Sequence, residues 1–309
     1  MSSKVALIKG DNRRENILKA LHLIHSQIEP KISGKDVIVK PNCLQAGVPL
    51  SCTHVDALRG VMEYISDIPH ESVVLAECCK DSEQFESYKK LAYDSLVNEY
   101  KIFLTELQSD DYWAEMKLLS KYGPEVNVRV SRMMVNSECR ISVAVAKTHD
   151  TVIMTGSWKN MMGSLALEDK VKMHGCNSHS ERVLTSEIAI LPQNLVRLAK
   201  IVPPHIAVID GYIGMEGNGP VSGNEKSLGI AIASIDFVAA DAVCAKAMGF
   251  EPMDISYLNY GHQVDLGIAD LRDIEILGDS LDDVIKDFTP HKSYSTLKEW
   301  RKLAPAIPG

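Results

Sequence analysis

Three lysines stand at turns that follow short apolar runs. Lys40 opens Lys40-Pro41-Asn42 after residues 37–39, and Lys147 opens Lys147-Thr148-His149 after residues 141–146. Lys159, with Asn160 beside it, sits in the segment 155–163. Cations at such turns offer charge-assisted hydrogen bonds to phosphate or carboxylate. In a chain of net charge −8 they mark a local pocket more readily than a general basic surface. Each lysine taken singly also fits a solvated turn. His149 lies two residues beyond Lys147, where a neighbouring cation lowers an imidazole pKa and favours a neutral base; a structural histidine bonded to backbone is the alternative. His174 and His179 add two imidazoles, but their spacing matches no standard metal-ligand pattern and leaves any metal unknown. A third candidate stretch runs from Asp210 through Glu216, Gly217, Gly219 and Gly223. Its glycines allow close backbone approach to a ligand, and Glu216 is a candidate acid or base; a tight β connection with Glu216 in water is the alternative. A strand follows this stretch, so it does not match the dinucleotide fingerprint.

The elements that must position these residues alternate. Short, almost wholly apolar runs at 5–8, 37–39, 73–76, 102–104, 141–146, 206–209, 228–233 and 274–277 read as strands covered on both faces. Helical spacing appears around Ile17, Leu18, Leu21 and Ile24, along Val55, Leu58, Val61, Met62 and Ile65, and over 237–248, where Asp236 is the expected N-cap. This predicts one α/β domain over 1–309, with a mixed, mostly parallel sheet and helices on both faces. Asp241, inside the Ala-rich helix, needs a buried partner, with a lysine as the expectation. The alternating run 126–131 is expected to pair near 141–146. The polar stretch 175–180 is a possible seam before a helix from about 180 to 191. The tail from 288 is expected to be the most loosely attached part. Met133, Met134, Met161 and Met162 read as core filler.

Composition narrows the partners. The 309 residues are 45% hydrophobic and 24% charged, the usage of a globular protein. No apolar run reaches the roughly 20 residues that span a bilayer, so no membrane is expected. The 33 Lys and Arg against 41 Asp and Glu argue against nucleic acid. The start does not read as a signal peptide, and seven scattered cysteines read as reduced core thiols, which together point to the cytoplasm. None of the seven forms a C-x-x-C pair, so no iron–sulfur cluster is expected; any other cofactor and the oligomeric state are left unknown.

In order, the chain carries the Lys40–Asn42 turn, the Lys147–His149 turn, Lys159-Asn160 followed by Gly163, the Asp210–Pro220 stretch and the Ser234–Asp241 helix start. Over roughly residues 4–280 it resembles the domain-of-unknown-function 362 family, whose members share these motifs in this order. Many relatives add a ferredoxin-like segment with clustered cysteines, which this chain lacks. The resemblance implies a fold and a site, not a reaction. A looser similarity to the nickel-pincer lactate racemase family, which carries no residues over, suggests proton abstraction next to a carboxylate. The expectation is an enzyme acting on a small anionic metabolite by proton transfer. His149, Lys159 and Glu216 are its catalytic candidates. Lys40, Asn42, Lys147, Asn160, Asp210, Gly217 and Gly219 are its binding candidates. A non-catalytic ligand-binding or sensor module is the alternative.

Overall fold

The computed structural model describes residues 2–77, 85–107 and 113–303. Eleven strands form: β1 (Ser3–Lys9), β2 (Asp36–Pro41), β3 (Ser72–Glu77), β4 (Phe103–Glu106), β5 (Trp113–Ser120), β6 (Gly123–Ser131), β7 (Cys139–His149), β8 (Ile153–Thr155), β9 (Ile206–Asn218), β10 (Ser222–Ser234) and β11 (Ile274–Gly278). Nine build one sheet in the order β11-β1-β10-β9-β7-β2-β3-β4, with β8 folded back on the end of β7. Five pairings are parallel: β1 with β11, β7 with β9, β2 with β7, β2 with β3, and β3 with β4. Antiparallel pairs join β10 to β1 and β9, so the sheet is mixed and mostly parallel.

The apolar runs explain this layering. Along β2, Val37 and Val39 enter one buried cluster with Ile17, Leu21, Leu58 and Val61 from the helices Arg13–Leu23 and Val55–Ser66. Ile38, between them, enters the other cluster with Leu195, Val243 and Trp158. Alternate side chains on one strand thus meet helices on opposite faces. The central strand β7 is buried at every position, polar Arg140 and Ser142 included.

Several expectations are corrected. The alternating run 126–131 belongs to β6, which pairs with β5 in a separate two-stranded sheet rather than with 141–146. The helix expected from about 180 is Leu184–Ala199, displaced because His179–Glu181 forms a short 3-10 turn first. The stretch after residue 209 is not an open loop: β9 continues to Asn218 and turns directly into β10. The tail is packed as far as Trp300, for Phe288, Leu297 and Trp300 are buried and the Trp300 indole N–H donates to Asp254 O at 2.8 Å. The reduced-thiol expectation holds for Cys52, Cys139, Cys176 and Cys244 but not for Cys43, which is disulfide-bonded. Cys78 and Cys79 lie outside the described residues.

Candidate functional site

Parallel strands end together. The carboxyl ends of β2, β3 and β7 therefore bring Lys40, Glu77 and Lys147 to one edge of the sheet, the usual place for a ligand in an open α/β fold. The helix Ser157–Asn160 starts against this edge because buried Asp241 accepts the backbone N–H groups of Ser157 (2.6 Å) and Trp158 (3.3 Å). Tyr257 OH adds a third donor at 3.2 Å. The expected lysine partner of Asp241 is thus replaced by a helix start and a phenol. Burial nonetheless pushes the Asp241 carboxyl up to about 7. Gly156 leaves the room this carboxylate occupies, which a Cβ would fill.

A cavity of about 690 Å³ opens at this edge. Among the sequence-derived candidates, Asn42, Lys147, His149, Lys159 and Asn160 line it. The three lysines differ in what holds them. Lys40 is fully buried, pairs with the Glu77 carboxylate, and also donates to Pro41 O (3.1 Å) and Asn160 Oδ1 (3.2 Å). It is an internal brace. Asn160 clamps the same point by donating to Lys40 O (3.2 Å) and Ser142 Oγ (3.0 Å). Lys147 donates to Asn42 Oδ1 and to Ser51 O at 2.7 Å, and burial pulls its pKa down to about 7. The Lys159 ammonium has no hydrogen bond or ion pair among the described residues, and burial lowers its pKa to about 8.

The remaining candidates lie elsewhere. Asp210 is buried against Arg13, with its oxygens 3.0 and 3.2 Å from the guanidinium Nε, and Tyr212 N–H donates to it at 3.0 Å. Glu216 pairs with Lys226 at 3.3 Å and accepts the Thr289 N–H at 2.8 Å. None of Asp210, Glu216, Gly217 and Gly219 lines the cavity. The two glycines serve packing. Thr148 Oγ1 donates to Gly217 O at 2.9 Å, and a Cβ at Gly219 would overlap Thr148. That close approach carries the next two residues, Pro220 and Val221, onto the cavity wall.

Sequence reasoning missed the network on the far wall. The His174 ring donates Nδ1–H to Glu187 Oε2 at 2.8 Å, since an ionised carboxylate only accepts. Arg182 reaches Glu187 at 2.7 Å and Asp150 at 3.0 Å, and Thr151 Oγ1 donates to Asp150 at 2.8 Å. Though burial opposes it, the His174 and Arg182 contacts hold the Glu187 carboxyl down at about 2. The available signal was one glutamate in a helix otherwise built to bury Ile188, Leu191 and Leu195. Nδ1 of His149 accepts the Thr151 backbone N–H at 3.0 Å, which leaves its proton on Nε2. Burial and the Lys159 charge push His149 well below the usual imidazole range, against the smaller pull of Asp150. Burial lowers His174 too. Both rings are therefore neutral at pH 7, with opposite tautomers: His174 keeps the lone pair on Nε2, and His149 carries a proton there. Among the described residues no group of three or more His, Cys, Asp or Glu is placed to hold a metal ion.

Fold and site define a mixed α/β protein with a lysine- and histidine-lined cavity at the edge where parallel strands end. Residues 37–246 match the model of a domain of unknown function, DUF362, and the chain belongs to that family. It is 24% identical over 229 residues to a thylakoid-associated protein of Synechocystis, a match covering 72% of this chain and 65% of that protein. The match thus spans under two thirds of that relative. The structure is also similar to the lactate racemase apoprotein of Thermoanaerobacterium thermosaccharolyticum, with a TM-score of 0.48 and 10% identity. That match covers 80% of this chain and 57% of the racemase. Among the described residues no helix is long and apolar enough to cross a membrane.

Proposed function

We propose that this protein is an enzyme that moves a proton on a small anionic metabolite, a carboxylate or a phosphate. The observation that carries this reading is the pair of neutral imidazoles of opposite tautomer, His174 and His149, in one cavity with an unpaired lysine, Lys159. Lys159 binds the anion, because its charge has no carboxylate of its own to neutralise it. Lys147 lines the same cavity, held by Asn42 and Ser51. His174 takes the proton at Nε2, oriented by Glu187 through its other nitrogen. His149 donates a hydrogen bond from Nε2 to the substrate oxygen on which charge develops, and His174 returns the proton it took. Glu216 leaves the catalytic set, and Lys40 and Asn160 become the brace that fixes the floor of the site. Nucleic acid and membrane stay outside this reading. A cytoplasmic location is supported by the four free thiols among the described residues, with Cys43 as the disulfide-bonded exception.

Deuterium exchange tests the reading. The purified protein is incubated in D2O with a panel of 2-hydroxy and 2-oxo acids and their phosphate esters, and carbon-bound deuterium is read by NMR. Exchange that is lost in His174→Gln and in Lys159→Met supports it. Lysine-dependent binding with no exchange for any compound would leave the binding or sensor module as the better account. Neither binding nor exchange would end both.

A further inference from the structure

We infer that the ligand is an amphipathic acid: one anionic head joined to an apolar body much larger than a three-carbon metabolite. This rests on the reading of the site as an anion pocket and adds the ligand's size and shape. The cavity, at about 690 Å³, would hold roughly twenty waters at about 30 Å³ each. It falls within the roughly 300–1,000 Å³ typical of sites for drug-sized molecules. A three-carbon acid would leave most of it wet.

Polar groups line the cavity from the strand ends and the short helix behind them, with Asn42, Lys147, His149, Lys159 and Asn160, and from the opposite side, with Glu168, Lys170, His174 and Arg182. Apolar side chains come from the flanking turns. Leu44 follows β2, and Met162 lies in the 3-10 turn Met161–Ser164. Leu167 and Val171 come from the 3-10 segment Leu167–His174, and Pro220 and Val221 from the tip of the β9–β10 hairpin. Leu167, 39% exposed, is one of the few large apolar side chains left open to water. Apolar side chains set among cationic ones fit a molecule that carries both characters: its head meets Lys159 and its body covers Leu167, Val171 and Val221.

Calorimetry with the full chain and a homologous series tests this. The probes are acetate, butanoate, hexanoate, octanoate and decanoate, alkyl phosphates of the same lengths, and 1-octanol as the uncharged control. Affinity is expected to rise about three- to fourfold per added methylene until the cavity is full, the ratio for burying a CH2 group. Lys159→Met should weaken every acid by a similar factor and leave 1-octanol unchanged. Leu167→Asp should flatten the chain-length trend; the milder Val221→Ser guards against a folding defect, checked by thermal melting. Lysine-dependent affinity that is flat with chain length would overturn the amphipathic ligand and leave the anion pocket standing. Affinity that rises equally for acids and alcohols, and survives Lys159→Met, would overturn the anion pocket. No binding by any probe would overturn the inference as well.

Discussion

The Lys40 ammonium and the Glu77 carboxylate form an ion pair that crosses from β2 to β3, with both side chains closed off from water. Gly163 makes the space, for a Cβ there would overlap both charged groups. Three separate motifs thus meet at one point: the end of β2, the end of β3, and the turn after the helix Ser157–Asn160.

Removing one member of this pair should cost far more than removing both. Lys40→Met or Glu77→Gln alone breaks a buried ion pair from one side, a loss of about 3–5 kcal/mol. The double variant Lys40→Met with Glu77→Leu should recover most of that stability. Urea denaturation of the three proteins measures the difference. Gly163→Ala should destabilise by about 1–3 kcal/mol through overpacking.

Asp241 makes stability depend on pH in an unusual direction. Its folded pKa of about 7 lies above the roughly 3.9 of an unfolded aspartate. Between those values the folded chain keeps a proton that the unfolded chain has released. Its contribution is therefore full below about pH 4 and is lost as pH rises through about 7. Asp241→Asn should remove this component. Comparing the two proteins by denaturation at several pH values from about 4 to 8 should show wild type losing stability relative to the variant.

His174 should matter to rate and not to binding. Replacing it with Gln removes the only proposed proton acceptor, and general base catalysis contributes typically about 10²–10⁴-fold. Glu187→Gln should slow exchange in the same direction, since an amide no longer fixes the ring's proton on Nδ1. Substrate affinity in both should stay close to wild type, which isothermal titration checks beside the exchange rate.

The strands were legible because each is an apolar run buried on both faces, and all eight expected runs fall within observed strands except for Ile102, one residue before β4. What the pattern concealed was extent. β7 carries its last polar residues, Lys147 to His149, while still paired with β8, and β9 runs past Asp210 despite three glycines before Asn218. Reading the end of the apolar run as the end of the strand is what brought Glu216 into the candidate site. The run 126–131 was correctly placed in a strand, but its partner β5, residues 113–120, offers only loose alternation. Lys147, His149 and Lys159 could be singled out because they come after apolar runs. The His174–Glu187 pair could not, because their contact joins two segments whose relative placement depends on tertiary packing.

The cysteine spacing predicts a protein without an iron–sulfur cluster. No Cys-x-x-Cys pair exists anywhere in the sequence, and cluster ligation ordinarily draws on such closely spaced thiolates. Protein prepared under anaerobic conditions should contain neither stoichiometric iron nor acid-labile sulfide. Colorimetric determination of both, beside the visible spectrum, decides the matter.

Anion affinity should fall off in alkali through Lys159. Its pKa of about 8 lies below that of a free lysine because burial disfavours the ammonium, while Asp150 partly offsets this and Arg182 adds to it. A bound anion stabilises the ammonium and raises that pKa again. Below about pH 8 the lysine is charged in both free and bound protein, and affinity is flat with respect to this group. Above it, the free protein must take up a proton to bind, so Kd should weaken by up to tenfold per pH unit until the bound-state pKa is passed. Lys147, at about 7, is already hydrogen-bonded to Asn42 and Ser51 and should add a shallower component starting about one unit lower. Lys159→Met should lose the steep limb and bind weakly throughout. Titrating octanoate from about pH 6 to 10 into wild type and variant measures both slopes; the same steep limb in the variant would assign the anion contact to another group.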